Sequence, residues 1–202
     1  MMYELFLKVV DLVNTFGYLG IFIMTFIEST FIPIPAEITL IPAGYLVSKG
    51  EMNFYIVWLV SVAGTLCGSL LNYYIAASVG RQILLKYGKY FFIDEKKLTK
   101  IESFFVNHGA ISTFTGRLLP GLKHFISFPA GLAKMDLRIF CIYTTLGGLI
   151  WCFILLTLGY LIGHNEDLIA EYLKDINYII IASVIVMVAV YIWYKRKVNS
   201  RS

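Results

Sequence analysis

The chain has 202 residues, 58% of them hydrophobic and 15% charged, with a formal net charge of +4. Its mean hydropathy is +0.75. That balance excludes a soluble globular domain and places the chain among integral membrane proteins, as a single membrane domain over residues 1–202.

Residues 1–15 put Leu5, Phe6, Val9, Leu12 and Val13 on one face and Glu4, Lys8 and Asp11 elsewhere. The spacing predicts an amphipathic helix lying in the membrane interface. The segment has no basic start and no small-residue cleavage site, so it does not read as a signal peptide. The apolar run from Gly17 then stops at Glu28. S-T-F-I-P-I-P-A-E follows, and after it a second apolar arm from Ile38 to Val47. Each arm of roughly ten residues rises about 15 Å as a helix, half of a hydrocarbon core of about 30 Å. Two half-length arms joined through Pro33 and Pro35 predict a re-entrant hairpin.

Residues 54–79 are long and apolar enough to span. Gly64 and Gly68 lie four apart, as do Ala63 and Cys67, and such spacing offers a face for close helix approach. Cys67, Cys141 and Cys152 all fall in apolar stretches without C-x-x-C spacing. They read as small packing residues rather than disulfides or metal ligands. From Arg81 to Asn107 the chain is basic and aromatic, with Lys86, Lys89, Lys96, Lys97 and Lys100 beside Tyr87, Tyr90, Phe91 and Phe92. This predicts an interfacial segment against the cytoplasmic leaflet. Nucleic acid is not an expected partner for a segment flanked by membrane elements.

The stretch T-G-R-L-L-P-G-L-K-H-F-I-S-F-P-A-G, Thr115 to Gly131, is apolar yet holds Arg117, Lys123 and His124 with Pro120 and Pro129. Ionisable groups at membrane depth are costly and face a partner or a wet cavity. Helix-breaking residues survive there only where protein or trapped water satisfies the backbone. A second re-entrant hairpin with cations at its tip is the reading that follows, against an ordinary interfacial loop. Spans are expected at about 137–162 and 176–194. The loop between them is acidic and the tail K-R-K-V-N-S-R-S is basic, which puts the C-terminus in the cytoplasm.

The halves overlay. Pro33 meets Pro120 at an offset of 87 (120 − 33), and Pro42, Ala43 and Gly44 meet Pro129, Ala130 and Gly131. Beyond the next turn the offset is 83: Met52 meets Met135 and Gly64 meets Gly147 (147 − 64). The expected architecture is an all-α integral membrane protein: an inverted repeat with two opposed re-entrant helical hairpins, about three spanning helices and interfacial amphipathic helices. Repeat one covers about 1–80, repeat two about 81–163, and an extra span follows. Inverted repeats with discontinuous helices bind substrate near the midplane. The tips carry opposite charge, Glu28 and Glu37 against Arg117, Lys123 and His124. Backbone N–H groups freed after Pro120-Gly121 would add to an anion site, with Arg117 as a fork and Lys123 as a point charge. Mutual neutralisation of the two tips is the structural alternative.

At these residues the chain resembles the DedA family, bacterial relatives of the SNARE-associated Golgi (VTT) domain proteins. The motifs are E-S-T-F-I-P-I-P-A-E (Glu28 to Glu37), the P-A-G that follows, and G-R-L-L-P-G-L-K with F-P-A-G (Gly116 to Gly131). The resemblance covers roughly residues 15–165. It implies two opposed hairpins shaped by Pro33, Pro35, Pro42, Gly44, Pro120, Gly121, Pro129 and Gly131. It also implies a membrane transporter in the bacterial inner membrane that moves undecaprenyl phosphate, or a phospholipid of the phosphatidylethanolamine type, with a proton as coupling ion. Glu28 and Glu37 match the family's acidic positions, and Arg117 and Lys123 its basic ones. The second basic position is commonly Arg, so Lys123 keeps the charge and loses the fork. The expected partners are the bilayer and a lipid with a phosphate head group, with a homo-oligomer left open. No metal or other cofactor is implied. A lipid-phosphate-processing enzyme and a scaffold are the competing classes. The tip offers no nucleophile with a placed base, and a scaffold needs no charges at mid-membrane.

Overall fold

A computed structural model gives the fold and describes residues 2–30, 36–80, 95–119, 123 and 125–164. Six α-helices are found among them: α1 Met2–Glu28, α2 Glu37–Ser48, α3 Phe54–Ile75, α4 Glu95–Leu118, α5 Ser127–Leu132 and α6 Leu137–His164. A π-helical turn, Ala76–Gly80, continues α3. No strand occurs among the described residues. Three stretches are long and apolar enough to cross a membrane: Val10–Glu28, Phe54–Gly80 and Leu137–His164. The last two are the spans expected at 54–79 and 137–162. The expected span at 176–194, the acidic loop, the basic tail and residues 81–94 lie outside the described residues.

Two boundaries differ from the sequence reading. The interfacial helix and the first apolar arm form one helix, α1, broken only at Gly17 (φ 57°, ψ −145°). Glycine takes that conformation without a Cβ penalty. Val10 and Val13 are buried there, while Leu12, expected on the same face as Val13, is 46% exposed. Likewise α4 runs unbroken past Asn107 to Leu118, joining the end of the basic segment to the arm that carries Arg117.

The second and third of these apolar stretches begin at an Asx cap. The Asn53 side chain accepts from the N–H groups of Tyr55 and Ile56 at 3.0 and 3.3 Å. Asp136 accepts from those of Arg138 and Ile139 at 2.9 and 3.1 Å. The donors are helix-end N–H groups that otherwise lack partners. Packing is reciprocal. Helix α1 lies on α3 and α4 on α6, whereas α2 crosses onto α6 and α5 onto α3. Gly44 sits where a Cβ would strike the carbonyl of Leu156, and Gly131 where one would strike that of Tyr73. These pairs repeat at the offsets read in the sequence, 87 for the glycines (131 − 44) and 83 for their partners (156 − 73).

One core cluster joins Val13, Ile21, Ile41, Leu46, Val57 and Leu156; another joins Tyr73, Phe105, Ala130, Met135 and Phe140. The Tyr73 hydroxyl donates to the Met135 carbonyl. Large apolar side chains such as Leu19, Tyr55 and Ile142 point outward, as a surface facing lipid requires.

Candidate functional site

Buried polar residues collect where α1, α3, α4 and α6 meet. Glu28 is the last residue of α1, Arg117 lies in the last turn of α4, and Lys123 stands between α4 and α5. Lys123 Nζ lies 2.6 Å from Glu28 Oε1, with side chains 11% and 4% exposed. A pair this far from solvent is weakly screened, and removing one member strands the other. Arg117 is 4% exposed. Its Nη2 donates to Ser127 Oγ at 2.7 Å, while its Nε has no hydrogen-bond partner among the described residues. Among those residues the guanidinium forms no ion pair, although Glu28 is close enough for their charges to interact.

These side chains line a cavity of about 20 Å³, room for about one water. Thr65 from α3 and Gly147, Gly148, Trp151 and Cys152 from α6 complete its wall, with Ser29 beside Glu28. Gly147 allows the arrangement, because a Cβ there would fall 2.7 Å from Arg117 Cβ. Lys123 Nζ also lies 5.8 Å from the Trp151 ring centroid, a cation–π distance.

Of the residues singled out in the sequence, Glu28, Arg117 and Lys123 come together. Glu37 does not join the cavity wall; it opens α2, half-buried, near enough for its charge to act on Glu28. Pro42 and Gly44 sit inside α2, buried, and Pro129 and Gly131 inside α5. Pro129 is the third residue of its helix, where the missing N–H removes no helical bond. Pro33, Pro35, Pro120, Gly121 and His124 lie outside the described residues. Sequence reasoning missed Ser127, Thr65 and Trp151, which carry no spacing signal in apolar runs. It also took Cys152 for a packing residue only; the thiol is free and buried at the cavity.

Three of the polar side chains on this wall, Arg117, Lys123 and Trp151, are donors only. Arg and Trp side chains donate and cannot accept, and a lysine ammonium likewise only donates. Among the described residues no three His, Cys, Asp or Glu side chains gather as a metal site. The two described histidines, His108 and His164, are exposed and absent from the cavity wall.

The family model for the VTT domain matches residues 34–161. Among similar proteins, the "Uncharacterized membrane protein YkoX" of Bacillus subtilis (strain 168) is 35% identical over 194 residues, 96% of this chain and 86% of that one. The "Alkaline phosphatase-like protein" of Lactococcus lactis subsp. lactis (strain IL1403) is 32% identical, over 94% of this chain and 92% of its own. "Undecaprenyl phosphate transporter A" of Bacillus subtilis (strain 168) is 31% identical, over 94% of each chain. No solved structure matches.

Proposed function

This chain belongs to the VTT-domain (DedA) family of membrane proteins, and on that premise we propose that it moves a phosphate-bearing lipid across the bacterial inner membrane, undecaprenyl phosphate being the best-supported substrate. The observation that carries the reading is the buried Glu28–Lys123 pair with Arg117 beside it, on one small cavity. Relatives named as transporters of a membrane lipid phosphate support the same class.

In the closed form Glu28 occupies the ammonium that a phosphate would need. A cavity with room for one water is too small for a head group, so the tips must part for substrate to enter. The incoming phosphate takes Lys123 and Arg117, and Glu28 is released or protonated. When the lipid leaves, Glu28 returns and the site closes. Lys123 is therefore never left unpaired in a poorly solvated place, which would be expensive. Helix α2 has 12 residues, about 18 Å, and is too short to cross alone. This supports re-entrant arms, with the two halves as inverted copies around the site. The tail and Lys97 are placed in the cytoplasm and Glu166 outside. Cysteines introduced at 97 and 166 should label from opposite faces of intact cells; labelling from the same face removes the inverted arrangement.

Proton coupling is assigned to Glu28 and Glu37. The test is lipid movement in proteoliposomes across a pH series, with product lipids analysed alongside. Wild-type protein should move undecaprenyl phosphate without altering it. Glu37→Gln should fold and bind lipid yet lose the pH dependence. A stable Glu37→Gln protein with the wild-type pH profile removes Glu37 from coupling. A phosphatidylethanolamine-type lipid moved in preference supports the alternative cargo. Release of inorganic phosphate would instead support an enzyme, the reading that the name of the Lactococcus relative favours.

A further inference from the structure

Two N–H groups on this cavity wall are left over after the internal bonds are assigned. Arg117 Nε and Trp151 Nε1 are both buried without a hydrogen-bond partner among the described residues. Neither side chain has an acceptor atom, so neither can be satisfied by the other. A buried unpaired donor carries a desolvation cost, which an acceptor entering the cavity, a water or a ligand oxygen, would relieve.

The neighbouring tryptophan shows the ordinary solution. Trp58 Nε1 donates to the Leu149 carbonyl at 2.9 Å, across the α3–α6 contact. The repeat sharpens the contrast. At the span offset of 83, the counterpart of Trp151 is Gly68 (151 − 68). A Cβ on Gly68 would strike the Phe26 carbonyl, so that position is closed by helix contact. In the second half the same place holds an indole on the cavity wall.

We propose that Trp151 is a substrate-binding residue, its indole Nε1–H donating to one oxygen of the bound phosphate while Arg117 Nε donates to another. This rests on the anion-site reading above and adds to it a neutral donor. A charged third donor would raise the cost of the empty site, because Glu28 cannot neutralise three cations. An indole N–H adds direction and no charge. It selects a ligand with at least two free acceptor oxygens on one centre, as a phosphate monoester has. The ring also supports Lys123 through its face, so Trp151→Phe separates the two roles: it keeps the face and removes the donor.

The experiment uses the full chain in detergent, with ¹⁵N-indole-labelled tryptophan, titrated with dodecyl phosphate and with dodecanol as the uncharged control. The Trp151 Nε1–H resonance is identified by its absence from Trp151→Phe protein. It should move downfield with the phosphate and stay still with the alcohol. Trp151→Phe should bind dodecyl phosphate about ten-fold or more weakly, the scale of a hydrogen bond to a charged group, with thermal stability checked alongside. A stationary resonance, or Trp151→Phe binding at wild-type strength while Lys123→Gln loses binding, overturns the role of Trp151 and leaves the anion site standing. Wild-type protein that does not bind, or Lys123→Gln that binds normally, removes the anion site and this proposal with it.

Discussion

The contact of α1 with α3 and the contact of α4 with α6 are built alike and used differently. In the first, Gly64 lies where a Cβ would meet the Phe22 carbonyl and Thr25. In the second, Gly147 meets Arg117 and the Phe114 carbonyl. Thr25 is 1% exposed and satisfies itself, its hydroxyl donating to the Ile21 carbonyl at 2.8 Å. In the corresponding seat Arg117 brings a charge, one bond to Ser127 and a donor to spare. The glycine lets the helices close in both halves, but only the second half places a cation in the gap. The scaffold is two-fold and the chemistry one-sided, with Glu28 as the first half's contribution to a site the second half mostly builds.

The largest expected effect comes from breaking the point where the halves meet. Glu28→Gln strands Lys123, 11% exposed, without its carboxylate. For a buried pair this costs about 3–5 kcal/mol, and thermal unfolding in detergent reads it. Glu28→Gln with Lys123→Gln should recover much of that loss while transport stays absent. If the single variant is as stable as wild type, the pair does not hold the halves together.

Next come the two glycines at matched seats. Gly64→Ala drives a methyl into the Phe22 carbonyl, and backbone cannot step aside, so about 1–3 kcal/mol of stability should be lost. Gly147→Ala meets the Arg117 stem. The clash is looser than at Gly64, 2.7 Å to Arg117 Cβ against 2.6 Å to the Phe22 carbonyl and a still closer approach to Thr25 Oγ1, but Cβ rides on the backbone, so relieving it carries the guanidinium out of its place. Stability should fall less than with Gly64→Ala, and lipid movement more. Equal losses of both kinds in the two variants would erase the difference between the halves.

How much of this could be read from residues alone follows the same division. Helical spans announce themselves by apolar length, so 54–79 and 137–162 were legible. Gly44 and Gly131 were legible because P-A-G recurs at one offset. The first-arm contacts recur at 92 (117 − 25, 114 − 22), and no motif marks that register. Charged residues in apolar runs gave Glu28, Arg117 and Lys123, since each needs a reason to be there. Ser127 and Trp151 gave no such signal: a serine or an indole is unremarkable in a membrane helix until its neighbours are known. Glu37 was legible as a charge, and only packing shows it off the cavity wall.

A smaller effect is expected from Arg117→Lys. The ammonium keeps the charge but loses the planar fork that reaches Ser127 and the cavity together. Lipid movement should fall by about ten-fold or more, the worth of one charge-assisted hydrogen bond, measured in proteoliposomes. Lys123→Arg should be tolerated there, since a fork still reaches Glu28. Normal transport by folded Arg117→Lys protein would count against a two-pronged phosphate contact.

The smallest effect tests the sameness of the halves rather than their difference. Asn53 and Asp136 occupy one place in the repeat, 83 apart (136 − 53), and each accepts from two N–H groups opening a long span. Neither touches the cavity. Replacing a cap by Ala costs about 1 kcal/mol. Asp136 carries charge, which a helix N-terminus favours by a further 0.3–1 kcal/mol or so. Asn53→Ala and Asp136→Ala should therefore lower stability by similar amounts, slightly more for Asp136. Added salt should narrow the gap, because only the charge term is screened. Lipid movement by the protein that remains folded should be unchanged in both. A cap variant that kept its stability but lost transport would mean that the start of a span moves during the cycle, and the division into a passive two-fold frame and a one-sided site would then be wrong at that end.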